Sequence, residues 1–413
     1  MNIITPYDSQ TGRVLSTNQV SPDKNIRRNF LSSTSVDKVE KVGNTSPSEK
    51  SVKMLLNLVK ASLNKGKIDE SVFKGANYHD WSNLLEIANE STVTGMAFDA
   101  AHKLPKGTLP TGIALKMAEF AREEEKEHAR QEKIIGELTE KLAKKDTELI
   151  QLKGIGFSMN YPVPQHRYGG DIDVFTRKKG TVTEGYSNTW DMFNQMMLDE
   201  GCDVEDYKRK HHKHSEFDYK GVRIENHNYF LNKERMPESR KIDAYLHKNI
   251  NPRVQVLPNG TKILVPSKEF NTVFMAHHAF QHFVFGGIDI HHLTDWGMQI
   301  KNDGFNFPEE LKGTKFEKFT YALTNLSHKY LGTKPTAPQD KEYEEKIFKK
   351  LIYPQSEEVP MHYNKVQTFA YKVKRLYTKA KFAQEYTGAS MVRMFTDAGL
   401  IKLANPKAIF RKL

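Results

Sequence analysis

Cysteine is almost missing from this sequence. Cys202 stands alone among 413 residues. One cysteine excludes an internal disulfide framework and fits a reducing, cytoplasmic setting. Set between Gly201 and a strand-like Asp203-Val204-Glu205, it reads as a packing residue. Long apolar runs are missing too, so no membrane-spanning helix is expected. The first residues, Met1 to Val14, have no apolar stretch behind a basic start, and no secretory signal is expected. Acidic excess is also absent. Lys and Arg number 62 against 51 Asp and Glu, leaving a net charge of +11. That balance favours polyanionic partners: nucleotides, nucleic acid or an anionic membrane surface. The first fifty residues lack any hydrophobic period and read as a disordered arm.

What is present centres on Gly169-Gly170-Asp171-Ile172-Asp173-Val174-Phe175. In a strand, alternate side chains share a face, so Asp171 and Asp173 point one way while Ile172 and Val174 enter the core. Two adjacent carboxylates on one rigid edge repel each other unless a cation lies between them. Mg²⁺ (or Mn²⁺) suits such oxygen donors and completes its shell with water and phosphate. An exposed strand end with two solvated acids has the same spacing.

Upstream, Glu148 to Leu152 reads as a short strand, and Lys153-Gly154-Ile155-Gly156-Phe157-Ser158 as a turn into a helix. Such a turn offers backbone N–H groups to an anion, and Lys153 adds a positive charge. The run Leu152-Lys153-Gly154, Tyr161-Pro162, Arg167 and Gly170-Asp171-Ile172-Asp173 resembles the core motif of the uncharacterised bacterial nucleotidyltransferase family of the DNA-polymerase-β-like superfamily. The resemblance implies a glycine turn holding a triphosphate, with Lys153, Gly154, Gly156, Ser158, Arg167 and Gly170 around it. It implies metal on the paired acids and a third acid from a neighbouring strand.

Downstream, Ser215 to Tyr219 alternates, Lys220-Gly221 makes a hairpin turn, and Val222 to His227 returns as a strand. The resemblance places an acid-x-His pair here, matched by Glu225 and His227, so Glu225 becomes the third carboxylate. The family more often has an apolar residue where this chain has Asn226. The His211, His212 and His214 cluster lacks the ligand spacing of a closed zinc site. Further on, His278 and His282 lie i, i+4 on one helix face, and Asp295 follows on the next helix. These match the family's second motif. They could bind a metal or form a buried hydrogen-bond network lining the cleft. The family commonly has Arg where this chain has His291.

The expected fold class is α+β, a small mixed-sheet nucleotidyltransferase core embedded in a largely helical protein. The expected divisions are a disordered arm (1–50), a helical region (51–146), the catalytic core (147–266), a cleft-lining helical domain (267–335) and a basic C-terminal helical region (336–413). The last carries Lys365, Lys372, Lys374, Arg375, Lys379 and Lys381 among aromatic residues, and later Lys402, Lys407, Arg411 and Lys412. That mixture suits nucleic acid or an anionic membrane, or a helical cap with solvated lysines. The expected activity is Mg²⁺-dependent transfer of a nucleoside monophosphate from an NTP to an acceptor: a small molecule, a glycan precursor, RNA or protein. The alternative is a catalytically degenerate scaffold that binds nucleotide or polyanion, with or without association with a membrane.

Overall fold

Strand alternation places the acids, so the sheet comes first. Six strands, β1 (Thr147–Gln151), β2 (Asp171–Lys178), β3 (His214–Tyr219), β4 (Val222–His227), β5 (Arg253–Val256) and β6 (Lys262–Val265), lie in the order β3-β4-β2-β1-β6-β5. The computed structural model describes residues 47–181, 188–205, 213–231, 236–353, 364–392 and 394–395. Almost all of the expected N-terminal arm, together with His211, His212 and the last basic residues, lies outside them.

The sheet is mixed. β2 pairs antiparallel with β1 and parallel with β4, while β3–β4 and β5–β6 are hairpins. The first hairpin turns at Lys220 and Gly221, with φ of 51° and 79°. Two successive positive φ values match the right-handed twist of the flanking strands.

Four helices precede the sheet: α1 (Glu49–Asn64), α2 (Tyr78–Glu90), α3 (Thr94–Ala101) and α4 (Thr111–Ala143). The apolar spacing from Trp81 to Ala101 would suit one helix, but the chain breaks it at Ser91–Val93, where Thr92 adopts φ 54°. Helix α5 (Ile155–Ser158) joins β1 to β2, and α6 (Asn188–Asp199) precedes the β3–β4 hairpin. One sheet face packs Ile172, Val174, Phe217 and Ile224 against Ile134, Leu138 and Leu142 of α4 and Phe193 and Met197 of α6. Fully burying each such side chain contributes roughly 1.5–3 kcal/mol.

The segment Pro237–Pro258, which reads as irregular, contains helix α7 (Ser239–Asn249) and strand β5. Its many charges mask a short apolar stripe of Ile242, Leu246 and Ile250, all buried. Helices α8 (Lys268–Phe285), α9 (Ile290–Asp303), α10 (Lys315–Leu331), α11 (Lys341–Ile352) and α12 (Lys365–Thr387) complete the chain. Ser267 caps α8 by accepting a hydrogen bond from the Phe270 amide at 3.1 Å. Helix α12 packs its last turns on α8 through Phe382 and Tyr386 against Phe283. Its first half leaves Val366, Phe369, Val373 and Tyr377 exposed.

Candidate active site

Asp171 and Asp173 sit on the sheet face opposite Ile172 and Val174. The parallel register of β2 on β4 pairs Asp173 with Glu225. Oxygens of Asp171, Asp173 and Glu225 lie within 4.8 Å of one another. Asp173 is wholly buried, whereas Asp171 and Glu225 retain partial exposure, so the cluster has one sealed side and one open side.

Cationic groups of the chain itself answer these acids. Lys153 Nζ lies 3.0 Å from Asp173 and 3.6 Å from Asp171. Burial opposes the ionised form of Asp173, but the Lys153 ammonium prevails and holds its carboxyl below the usual range. His214 Nδ1 lies 2.8 Å from Glu225. Burial alone would lower the pKa of His214. The Glu216 and Glu225 carboxylates beside it outweigh that and raise it to about 9. His214 is therefore charged at neutral pH, and Glu225 is held well below its ordinary value. His227 Nε2 lies 3.0 Å from Asp173 and 3.5 Å from Glu225, bridging the two strands. Asn226 points to the opposite face, where its amide donates to Asn194 Oδ1 at 2.9 Å and to the Trp190 carbonyl at 3.2 Å. That buried network accounts for a polar residue where the family pattern is apolar.

The glycine turn is where expectation and structure part. Gly154 has φ 63°, and a side chain there would crowd the Asp171 carbonyl at 3.2 Å. The turn thus requires glycine and abuts the first acid. Gly170 forms the bend immediately before β2. Gly156 instead serves packing: an added Cβ would meet Val265 Cγ1 at 2.8 Å. Ser158 is fully buried, donating to the Ile155 carbonyl at 2.7 Å and accepting from His128 Nε2 at 3.1 Å. Its hydroxyl is committed within the helix turn and does not line the cleft.

Arg167, read as neutralising phosphate, is buried in a two-pronged ion pair with Asp295 at 2.8 and 2.7 Å. Its remaining arm donates to the Gly154 carbonyl at 3.0 Å. Asp295 also accepts from Tyr161 Oη at 2.6 Å and lies 3.2 Å from His291. Burial would raise the Asp295 pKa, but Arg167 and His291 hold it well below the carboxylate range. His291, at the position where the resemblance commonly has Arg, thus also contacts this carboxylate. Asp295 is consequently not a partner of His278 and His282. The residue that joins them is His292, whose ring nitrogens come within 4.8 Å of theirs. Burial, helped by the charge of Lys153, holds His278 well below the usual imidazole pKa.

Helix α4, whose charged middle from Arg122 to Glu127 reads as a solvated face, supplies further buried polar residues. Glu124, His128, Gln131 and Glu132 are all buried. Gln131 donates to the Gly169 carbonyl at 2.6 Å and so fixes the approach to Asp171. The i, i+4 spacing of Glu124 and His128, with Gln131 beside them, was the available signal. It marks a polar stripe on the face toward the turn.

The mixed sheet within a largely helical chain is an α+β fold, and it brings three carboxylates together beside a glycine turn. Residues 77–332, more than half of the chain, match the uncharacterised nucleotidyltransferase family, and the chain belongs to it. The match begins at the start of α2 and ends just after α10, so α1, α11 and α12 lie beyond it. No curated protein matches. Among solved structures, an antigenic nucleotidyltransferase-like protein from Paracoccidioides brasiliensis is similar at 13% identity and a TM-score of 0.33. The likeness covers 50% of this chain and 94% of that one, and at that score it adds nothing to the fold or the chemistry.

Proposed function

We propose that the chain moves a nucleoside monophosphate from an NTP to an acceptor, with Asp171, Asp173 and Glu225 holding Mg²⁺ or Mn²⁺. The observation that carries this reading is the convergence of three carboxylates within 4.8 Å across neighbouring parallel strands. The donor set is all oxygen, which fits a hard divalent cation. When bound, that cation would offset charge on the triphosphate and assist ionisation of the acceptor hydroxyl.

The chain's own residues do the rest by placement. Asp171 and Asp173 supply one strand of the clamp. Glu225, kept ionised by His214, supplies the other. Lys153 stands where the cation belongs. It leaves the carboxylates when the nucleotide complex enters and pairs with phosphate instead. The Gly154 turn receives the phosphates, while Arg167 acts from behind by fixing the Gly154 carbonyl.

The acceptor class is open among small hydroxylated molecules, glycan precursors, RNA ends and protein side chains. Helix α12, with lysines beside exposed Phe369 and Tyr377, favours an anionic acceptor or surface. Comparing liposome pelleting of the full chain with that of the chain cut after Met361 tests the membrane version. Among the described residues no helix is long and apolar enough to cross a membrane.

Incubating the protein with each of four α-labelled NTPs and cell lysate tests transfer directly. Label should enter one acceptor class in a divalent-dependent way. Undiminished transfer by the Asp171→Asn/Asp173→Asn protein would refute the reading.

A further inference from the structure

We propose that His278, His282 and His292 form a binding site for a single zinc-type ion, distinct from the carboxylate cluster. Each ring offers a nitrogen, and those nitrogens lie within 4.8 Å of one another. Ring centroids are 4.6 Å apart for His278–His282, 4.4 Å for His282–His292 and 5.3 Å for His278–His292. The first two histidines sit one turn apart on α8. The third arrives from the first turn of α9, after the chain reverses through Gly286 and Gly287, both at φ 98°.

A carboxylate backs one of the rings. Asp289, the N-cap of α9, lies 2.9 Å from His292 Nδ1. In the tautomer that donates Nδ1–H to this carboxylate, Nε2 keeps its lone pair; the Asp289 amide, 3.3 Å from the same nitrogen, matches the other tautomer. The former is the carboxylate–histidine arrangement that orients metal-bound imidazoles. Three imidazoles with no carboxylate among them suit Zn²⁺ or a neighbouring first-row ion and suit Mg²⁺ poorly. Three protein ligands leave a fourth position for water or a group on a bound molecule. The two clusters would thus select different cations, a hard one on the sheet and a borderline one on the helices.

The test uses the full chain, stripped with EDTA, in the Asp171→Asn/Asp173→Asn background with Glu225→Gln added, which also removes the overlapping His214, Glu225 and His227 group. After reloading with zinc sulfate and gel filtration, metal analysis should find about one zinc per chain. Titration with Co²⁺ should give a visible absorption band. His282→Gln and His292→Gln should abolish both signals, and Asp289→Asn should weaken affinity about 10–100-fold. Footprinting with diethyl pyrocarbonate needs no variant of these histidines. Zinc should protect His278, His282 and His292 together and leave His79 and His102 unchanged. Absence of zinc from the folded parent, or retention of it by both glutamine variants, overturns the proposal. So does unaltered labelling of the three rings.

Discussion

Two clusters of ligand-type side chains, one on strands and one on helices, are built in opposite ways. On the sheet, strand pairing sets the distance between Asp173 and Glu225, and alternation sets their common face. On α8 and α9, His278 and His282 are related by one helix turn, but the third member depends on how two helices pack. The sheet cluster is tied into a hydrogen-bonded ladder. The helical cluster depends on side-chain packing around a double-glycine reversal, where a bound ion has more to stabilise. The first is the proposed site of chemistry, and the second is the proposed zinc site, set between two helices.

The sharpest way to break this contrast is to substitute the acids. Asp171→Asn or Asp173→Asn should lower nucleotidyl transfer by about 10³-fold or more, on the order of 4 kcal/mol in barrier. Far-UV circular dichroism should stay unchanged. Loss of folding instead would make the sheet cluster structural. The reverse experiment targets the helical side. Asp295→Ala leaves Arg167 buried without its carboxylate and should cost about 3–5 kcal/mol in urea unfolding. A much smaller loss would show that Arg167 can reach water.

A milder probe is Gly156→Ala. Its new methyl group meets Val265 at 2.8 Å, and overpacking of this kind costs about 1–3 kcal/mol. Nucleotide affinity should change little if Gly156 packs and does not bind; an affinity loss outrunning the stability loss would restore its phosphate role.

The smallest effect concerns His277, which is fully buried among Phe280 and Phe316 and has no hydrogen-bond partner for either ring nitrogen among the described residues. Burial drops its pKa to about 3. Between the unfolded pKa near 6.5 and that value, the unfolded chain binds a proton that the folded chain refuses. Stability therefore falls as pH falls through this window. His277→Leu should flatten the fall by about one proton while gaining about 1 kcal/mol at neutral pH. Thermal melts at pH 4, 5, 6 and 7 decide it, and an unchanged slope would sink the assignment.

The central strands were readable from sequence, because period-two patterns and a Lys-Gly turn constrain geometry within a few residues, while β5 was hidden in a segment that reads as irregular. Asp171, Asp173 and Glu225 are close together as expected, and the β3–β4 hairpin turns where Lys220-Gly221 indicated. What escaped was long-range pairing. Nothing local distinguishes an arginine aimed at phosphate from one aimed at Asp295, 128 positions away. Ser158 looks like a phosphate ligand until His128, 30 residues upstream, is found against it. His292 and Asp295 are three residues apart on one helix and share nearly one face. Only the packing of α9 decides which meets α8 and which meets Arg167. The charged run of α4 hid a buried polar stripe for the same reason.

The Arg167 clasp has a mechanical consequence. One guanidinium grips the bend that follows β1 and, at the same time, a carboxylate on α9. Sheet and helical wall are riveted at that point. Any closing motion over a bound nucleotide must pivot elsewhere, which leaves the connecting loops to move while the riveted floor stays still.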